Sequence, residues 1–245
     1  MKLTTKMLAA LLLLSIRLNA AIALVNHTWA GAANSVTTSA ISCTGANLLV
    51  IYVADGQNAT TGTMSSSPAN TWTSLTDAAS SFQNGALWYS KNASVSGSMT
   101  FTYASSGGTG SPAIFVECFS SADTSAPFDQ QNTGTANPGP TVQPGSITPG
   151  VNNELVVTGS TTGDPGASYT INGCYSSNIT DQAPIVGGVH YGGALAYCVQ
   201  TTATATNPTW SGAGSTAVVA TIASFKASAG AAFTANPCVF VICPN

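Results

Sequence analysis

Arginine is missing from this chain beyond Arg17, and after Lys6 lysine occurs only as Lys91 and Lys226. Phosphate backbones and anionic lipid surfaces are held mainly by Lys and Arg, so the sequence excludes nucleic acid and a polybasic membrane contact as partners. Histidine is scarce as well, with only His27 and His190. There is no Cys-x-x-Cys pair, no Gly-x-Ser-x-Gly elbow and no carboxylate cluster at ion-ligand spacing, so nothing asks for a metal or a cofactor. Long apolar runs are confined to the start. Lys2 and Lys6 precede the stretch from Met7 to Ile16, and Ala20, Ala21 and Ala23 follow it, which predicts a secretory signal peptide over residues 1–23 cut after Ala20 or Ala23. Arg17 beside the exit region leaves a retained anchor as the alternative. The stretch is too short to span a bilayer, and no later segment is long and apolar enough, so the mature chain is expected to carry no integral membrane segment.

Loss of the leader removes Lys2, Lys6 and Arg17 and leaves two basic side chains against eight acidic ones, a net charge of −6 with both histidines neutral. Charged residues make up only 5% of the chain, so its surface has to be built from Ser, Thr, Asn and Gly. Six cysteines in an exported chain point to disulfides. Cys43 with Cys118, Cys174 with Cys198, and Cys238 with Cys243 are the favoured pairs, because the first two keep each bridge within one half of a duplicated body.

Segments rich in Val, Ile, Thr, Tyr and Phe recur between Gly, Asn, Ser and Pro clusters, and no sustained 3.6-residue period follows the leader. This is an all-β pattern. Laid over itself, the chain repeats. Ile41 through Val50 matches Ile147 through Val156, Thr76-Asp77 matches Thr180-Asp181, and Gly85-Ala86-Leu87-Trp88-Tyr89 matches Gly193-Ala194-Leu195-Ala196-Tyr197. Thr100-Phe101 matches Thr209-Trp210, and Phe119 matches Phe225. The expectation is one jelly-roll-like β-sandwich over residues 24–228, stapled by disulfides and built from two diverged repeat units at about 41–122 and 147–228. Each unit is expected to hold about four or five strands, too few to bury two apolar faces alone. A pair of immunoglobulin-like domains is the alternative. The stretch from Asp123 to Pro149 reads as a surface crossover. Residues 229–245 read as a flexible linker followed by an apolar tail, Cys238-Val239-Phe240-Val241-Ile242-Cys243.

Asn70-Thr71-Trp72-Thr73, the strand Leu87-Trp88-Tyr89, the run from Phe119-Ser120-Ser121-Ala122-Asp123-Thr124-Ser125 to Ala126-Pro127-Phe128-Asp129, and Gly145-Ser146-Ile147-Thr148-Pro149 resemble a module of uncharacterised secreted bacterial and phage-borne β-sandwich proteins. The resemblance spans roughly residues 24–228 and implies a fold, with no activity attached to it.

Glu117 is the sharpest candidate for chemistry. It shares a strand face with Phe115 and Phe119, where the matching repeat position is Ala223. A carboxylate between aromatic rings has a raised pKa and suits general-acid work. A solvent-facing or lightly covered position is the plainer expectation, since alternation alone does not say which face is inside. Glycoside hydrolysis needs two carboxylates, and Glu154 or an aspartate would have to be the second. Asp55 reads as a turn former before Gly56, and Asp77 and Asp181 as a repeated turn. Trp29, Trp72, Trp88 and Trp210, with Tyr89 and Tyr197, are candidates for stacking on a glycan, although a sandwich core needs large aromatics too. The reading favoured is a secreted, non-catalytic structural or adhesion protein of the cell surface or extracellular space, self-assembling through the tail into a surface or filament subunit. A carbohydrate-binding module and a glycan-active hydrolase using Glu117 are the alternatives.

Overall fold

The computed structural model describes residues 21–56, 62–80, 82–106, 110–137, 139–164, 167–187, 189–212 and 216–229. The first half contributes β1 (Ala23–Gly31), β2 (Ser35–Thr37), β3 (Leu48–Gly56), β4 (Thr63–Ser67), β5 (Thr73–Ser74), β6 (Ala78–Ala79), β7 (Gln83–Lys91), β8 (Thr100–Ala104) and β9 (Ala113–Ser120). The second contributes β10 (Phe128–Ala136), β11 (Thr141–Val142), β12 (Glu154–Thr162), β13 (Thr170–Ile171), β14 (Ile179–Ala183), β15 (Gly192–Gln200), β16 (Trp210–Ser211) and β17 (Val218–Phe225). All pairings between them are antiparallel. Among the described residues no helix is long and apolar enough to cross a membrane.

The protein is a β-sandwich. Each half forms one large and one small sheet in the same strand order: β1-β9-β3-β7-β5 with β2-β8-β4 in the first, β10-β17-β12-β15-β14 with β11-β16-β13 in the second. The two large sheets lie face to face, and each small sheet covers the outer face of its own large one. Side-chain parity sets this layering. Leu48, Val50 and Tyr52 of β3 enter the central core, while Leu49, Ile51 and Val53 enter the first outer core. Leu155 and Val157 of β12 likewise face the centre, and Val156 faces the second outer core. Strands covered on both faces are apolar at nearly every position, which is why the period-2 signal disappears from them. The expected four or five strands per half is an undercount, because two- and three-residue strands such as β2, β5 and β11 are too short to show any period.

The stretch from Asp123 to Pro149 is more than a crossover, for it contains β10, the edge strand of the second large sheet. Its Gln, Asn and Thr content reflects an edge that is only partly covered. Two disulfides join Cys43 to Cys118 and Cys174 to Cys198, each within one half. Cys238 and Cys243 lie outside the described residues, as does the tail between them. The halves are also tied by Tyr52, whose buried hydroxyl is 2.6 Å from Thr161 Oγ1. Gly159 makes room for that ring: a Cβ there would lie 2.4 Å from it.

Candidate functional site

Strand register makes the duplicated body its own control. Glu117 on β9 pairs with Val50 on one side and His27 of β1 on the other. At the matching place in the second half, Ala223 pairs with Val157 and with Gln131 of β10. His27 and Gln131 are therefore equivalent, and so are Glu117 and Ala223. Each of these edge strands meets the far edge of the other half, so the molecule has two related seams.

The seams have diverged in chemistry. In one, Gln131 accepts the Thr76 N–H and donates to the Thr76 hydroxyl, both at 2.9 Å, a neutral amide contact. In the other, His27 Nδ1 lies 2.9 Å from Asp181 Oδ2, and Thr180 Oγ1 donates to Glu117 Oε1 at 2.8 Å. Backbone register equates Asp181 with Thr76, because Asp181 stands two before Ala183, the partner of Gly193, and Thr76 two before Ala78, the partner of Gly85. Sequence matching set Asp181 against Asp77 instead. Alignment by residue type pairs the two Thr-Asp dipeptides, one position away from the backbone register, because it does not see which residues the strands place opposite one another.

Glu117 is fully buried, which corrects the solvent-facing expectation. It points into the central core between Phe115 and Phe119, and Tyr197, packed edge-on to Phe119, borders it. Burial pushes its carboxyl up to about 8, against the Thr180 hydrogen bond and with a further push from the Asp181 charge. Thr180 Oγ1 is also 3.3 Å from the Leu195 carbonyl. A hydroxyl has one proton, and the shorter contact, to Glu117, takes it. Burial also raises the Asp181 carboxyl, and His27 opposes that shift.

Glu154 does not join Glu117. It is also fully buried, but it shares side-chain parity with Val156 and lies on the outer face of the second large sheet, where its Oε1 accepts the Val151 N–H. A full sheet separates the two carboxyls, so they do not flank a common bond. Asp55 is not a turn residue either. It lies in β3, 1% exposed, with its oxygens taken by the Ser105 hydroxyl and the Ser111 and Gly56 N–H groups.

Five of the six aromatics expected to hold a ligand pack against other rings or lie in a core. Trp210 is fully buried, with Nε1 donating to Thr158 Oγ1, which corrects its assignment as a ligand platform. Trp72 and Trp88 are half-buried with edge contacts to Phe101 and Tyr103. Tyr89 stacks on Phe128, and Tyr197 meets Phe119 edge-on. The three apolar layers take these rings because inward strand positions need large side chains. Trp29 is different: it is 40% exposed on the same side of β1 as His27. One face of its ring stacks on buried Phe115 at 6.2 Å between centroids, and His190 meets it edge-on at 5.8 Å. Val186 and Val189, on the hairpin carrying His190, are also exposed.

The ionisable seam is thus His27, Asp181, Thr180 and Glu117, with Trp29 beside it on β1. Neither His27 nor Asp181 is singled out by sequence. The available signal is the broken repeat at Glu117 and Ala223, with His27 the only ionisable residue of β1. A surface depression of about 640 Å³, lined by residues 150–153 with Ala203, Ala227 and Ala229, includes none of the seam residues. No protein-family model, curated protein or solved structure matches this chain.

Proposed function

We propose that the protein is a non-catalytic structural or adhesion module of the extracellular space. The observation that carries this reading is the chemistry of its two outermost faces. On the first small sheet, register aligns Ser35, Ala104 and Thr63 in one row and Thr37, Thr102 and Ser65 in the next, with Thr100 opposite Ser67 beyond. On the second, Thr141, Ser211 and Thr170 form a row. Their alternate neighbours, such as Val36, Phe101, Tyr103 and Trp210, are buried beneath, so the outward positions are an uncharged array of small side chains, all but Ala104 bearing a hydroxyl. Such a face hydrogen-bonds to extended neutral surfaces without steering by charge. The two disulfides fit an oxidising compartment.

Negative-stain imaging and sedimentation of the mature protein, with adsorption to cell envelopes and to insoluble polysaccharide, test the proposal. Assembly or retention on a surface is the expected result. A monomer at every concentration that washes freely from all of these surfaces overturns it, as does release of reducing sugar from a glycan.

A further inference from the structure

We propose that the seam between β1 and β14 binds a neutral glycan, with Trp29 as the stacking platform and the His27–Asp181 pair as the hydrogen-bonding group. The proposal rests on the adhesion reading and supplies its ligand.

The platform is fixed before any ligand arrives. Phe115 backs one face of Trp29 and His190 holds an edge, so the exposed part of the ring is the face turned away from Phe115. His190 is itself held, with its Nδ1 3.0 Å from the Tyr191 carbonyl. Gly31 leaves the space it occupies, since a Cβ there would lie 2.4 Å from the imidazole. An immobilised aromatic face loses little conformational entropy on binding and presents apolar area to the C–H face of a sugar ring.

The polar partner lies one pleat away. Alternate residues on a strand are about 6.6 Å apart on one face, the reach of a pyranose and its hydroxyls. The His27 ring engages Asp181 Oδ2 through Nδ1, which leaves Nε2 and Asp181 Oδ1 to meet a ligand. The carboxylate oxygen accepts, and a hydroxyl can donate to or accept from the imidazole, so the matching ligand is rich in O–H groups. An anion brings only acceptors and meets a carboxylate. The lysines that could draw one are engaged elsewhere, Lys91 with the Ser125 carbonyl and Lys226 with Asp129. Charge complementarity therefore selects a neutral polyhydroxylated ligand over an acidic one. In the equivalent seam Gln131 turns inward to Thr76 and Thr133 stands where Trp29 would, so the second half offers neither platform nor acceptors.

Intrinsic tryptophan fluorescence reports this site, because Trp29 is the most exposed tryptophan, while Trp72 and Trp88 are half-buried against the first outer core and Trp210 is fully buried. Titrating the mature protein with cello-, xylo-, chito- and malto-hexaose should give saturable quenching by at least one of them. Trp29→Ala should weaken binding by roughly tenfold or more, and the isosteric Asp181→Asn by roughly fivefold or more, with unchanged circular dichroism. Gln131→Ala, at the equivalent seam, should leave affinity unchanged. No quenching by any of the four at millimolar concentration overturns the proposal. So does binding that survives both Trp29→Ala and Asp181→Asn. Sedimentation and surface adsorption of the same samples separate the failures: a protein that still assembles or adheres without binding these sugars loses the glycan site alone, and one that does neither loses the adhesion reading as well.

Discussion

A carboxylic acid shut away from water with a single hydroxyl beside it holds its proton, and Glu117 is in that position. Its folded value of about 8 lies above the ordinary 4.5, so between these pH values the folded state keeps a proton that the unfolded chain has lost. This contribution to stability is full below about 4.5, falls as pH rises and is exhausted above about 8. Glu117→Gln keeps the shape and a partner for Thr180 without the charge. It should match the parent near pH 4 and exceed it near pH 9 by on the order of a few kcal/mol in denaturant unfolding. A variant that tracks the parent at both pH values would show that Glu117 ionises freely in the fold. The raised carboxyl of Asp181 acts in the same direction at lower pH, starting from 3.8. The aromatic flanks of Glu117 were legible in the chain, since parity on a strand is local. Which face is covered was not, because the cover comes from β14 and β15 of the other half.

At the scale of elements, what docks the two large sheets is a ring fitted over a missing side chain. Tyr52 and Gly159 hold equivalent places in the two halves, and the large one fills the space left by the small one. Gly159→Ala forces a methyl group into that ring and should destabilise by about 1–3 kcal/mol, read as a lower denaturant midpoint, with the two halves still individually β in far-UV circular dichroism. An unchanged midpoint would mean that the sheets slide apart without penalty. The strands buried on both faces were visible in sequence as β-prone apolar runs. The edge strands β1 and β10 were not, since an edge is half-covered and its polar residues resemble a loop.

For the whole molecule, the two disulfides close loops of unequal length, with sequence separations of 75 and 24. On chain entropy alone, replacing both Cys43 and Cys118 by Ala should cost about 1 kcal/mol more than replacing Cys174 and Cys198 by Ala. Cys43 and Cys118 are also fully buried, and any packing loss adds to the difference. Urea midpoints of the two double variants measure it. The described chain stays attached to the sandwich through the Ala122–Ala227 bridge and the Ser228 N–H to Ser121 carbonyl bond. Truncation after Ser228 should therefore leave the fold intact. If the apolar tail drives assembly, the truncated protein sediments as a monomer at concentrations where the full chain does not. An unchanged particle size with a lower Tm would place the tail on its own sandwich.

The sequence by itself determined the β class and the repeated plan, and the plan favoured disulfides within each half, because alternation and internal matches are carried by residues close together or in the same order. Only the tertiary structure decided that Glu117 is buried, that Glu154 lies on the far side of a sheet, and that His27 meets Asp181 across the halves. Those facts depend on which faces of two sheets come together and on the register of β14 against β15, which sets Asp181 one position away from where residue matching puts it. A one-residue change of register reverses the side a strand residue faces, and no pattern within either strand records which register its partner takes.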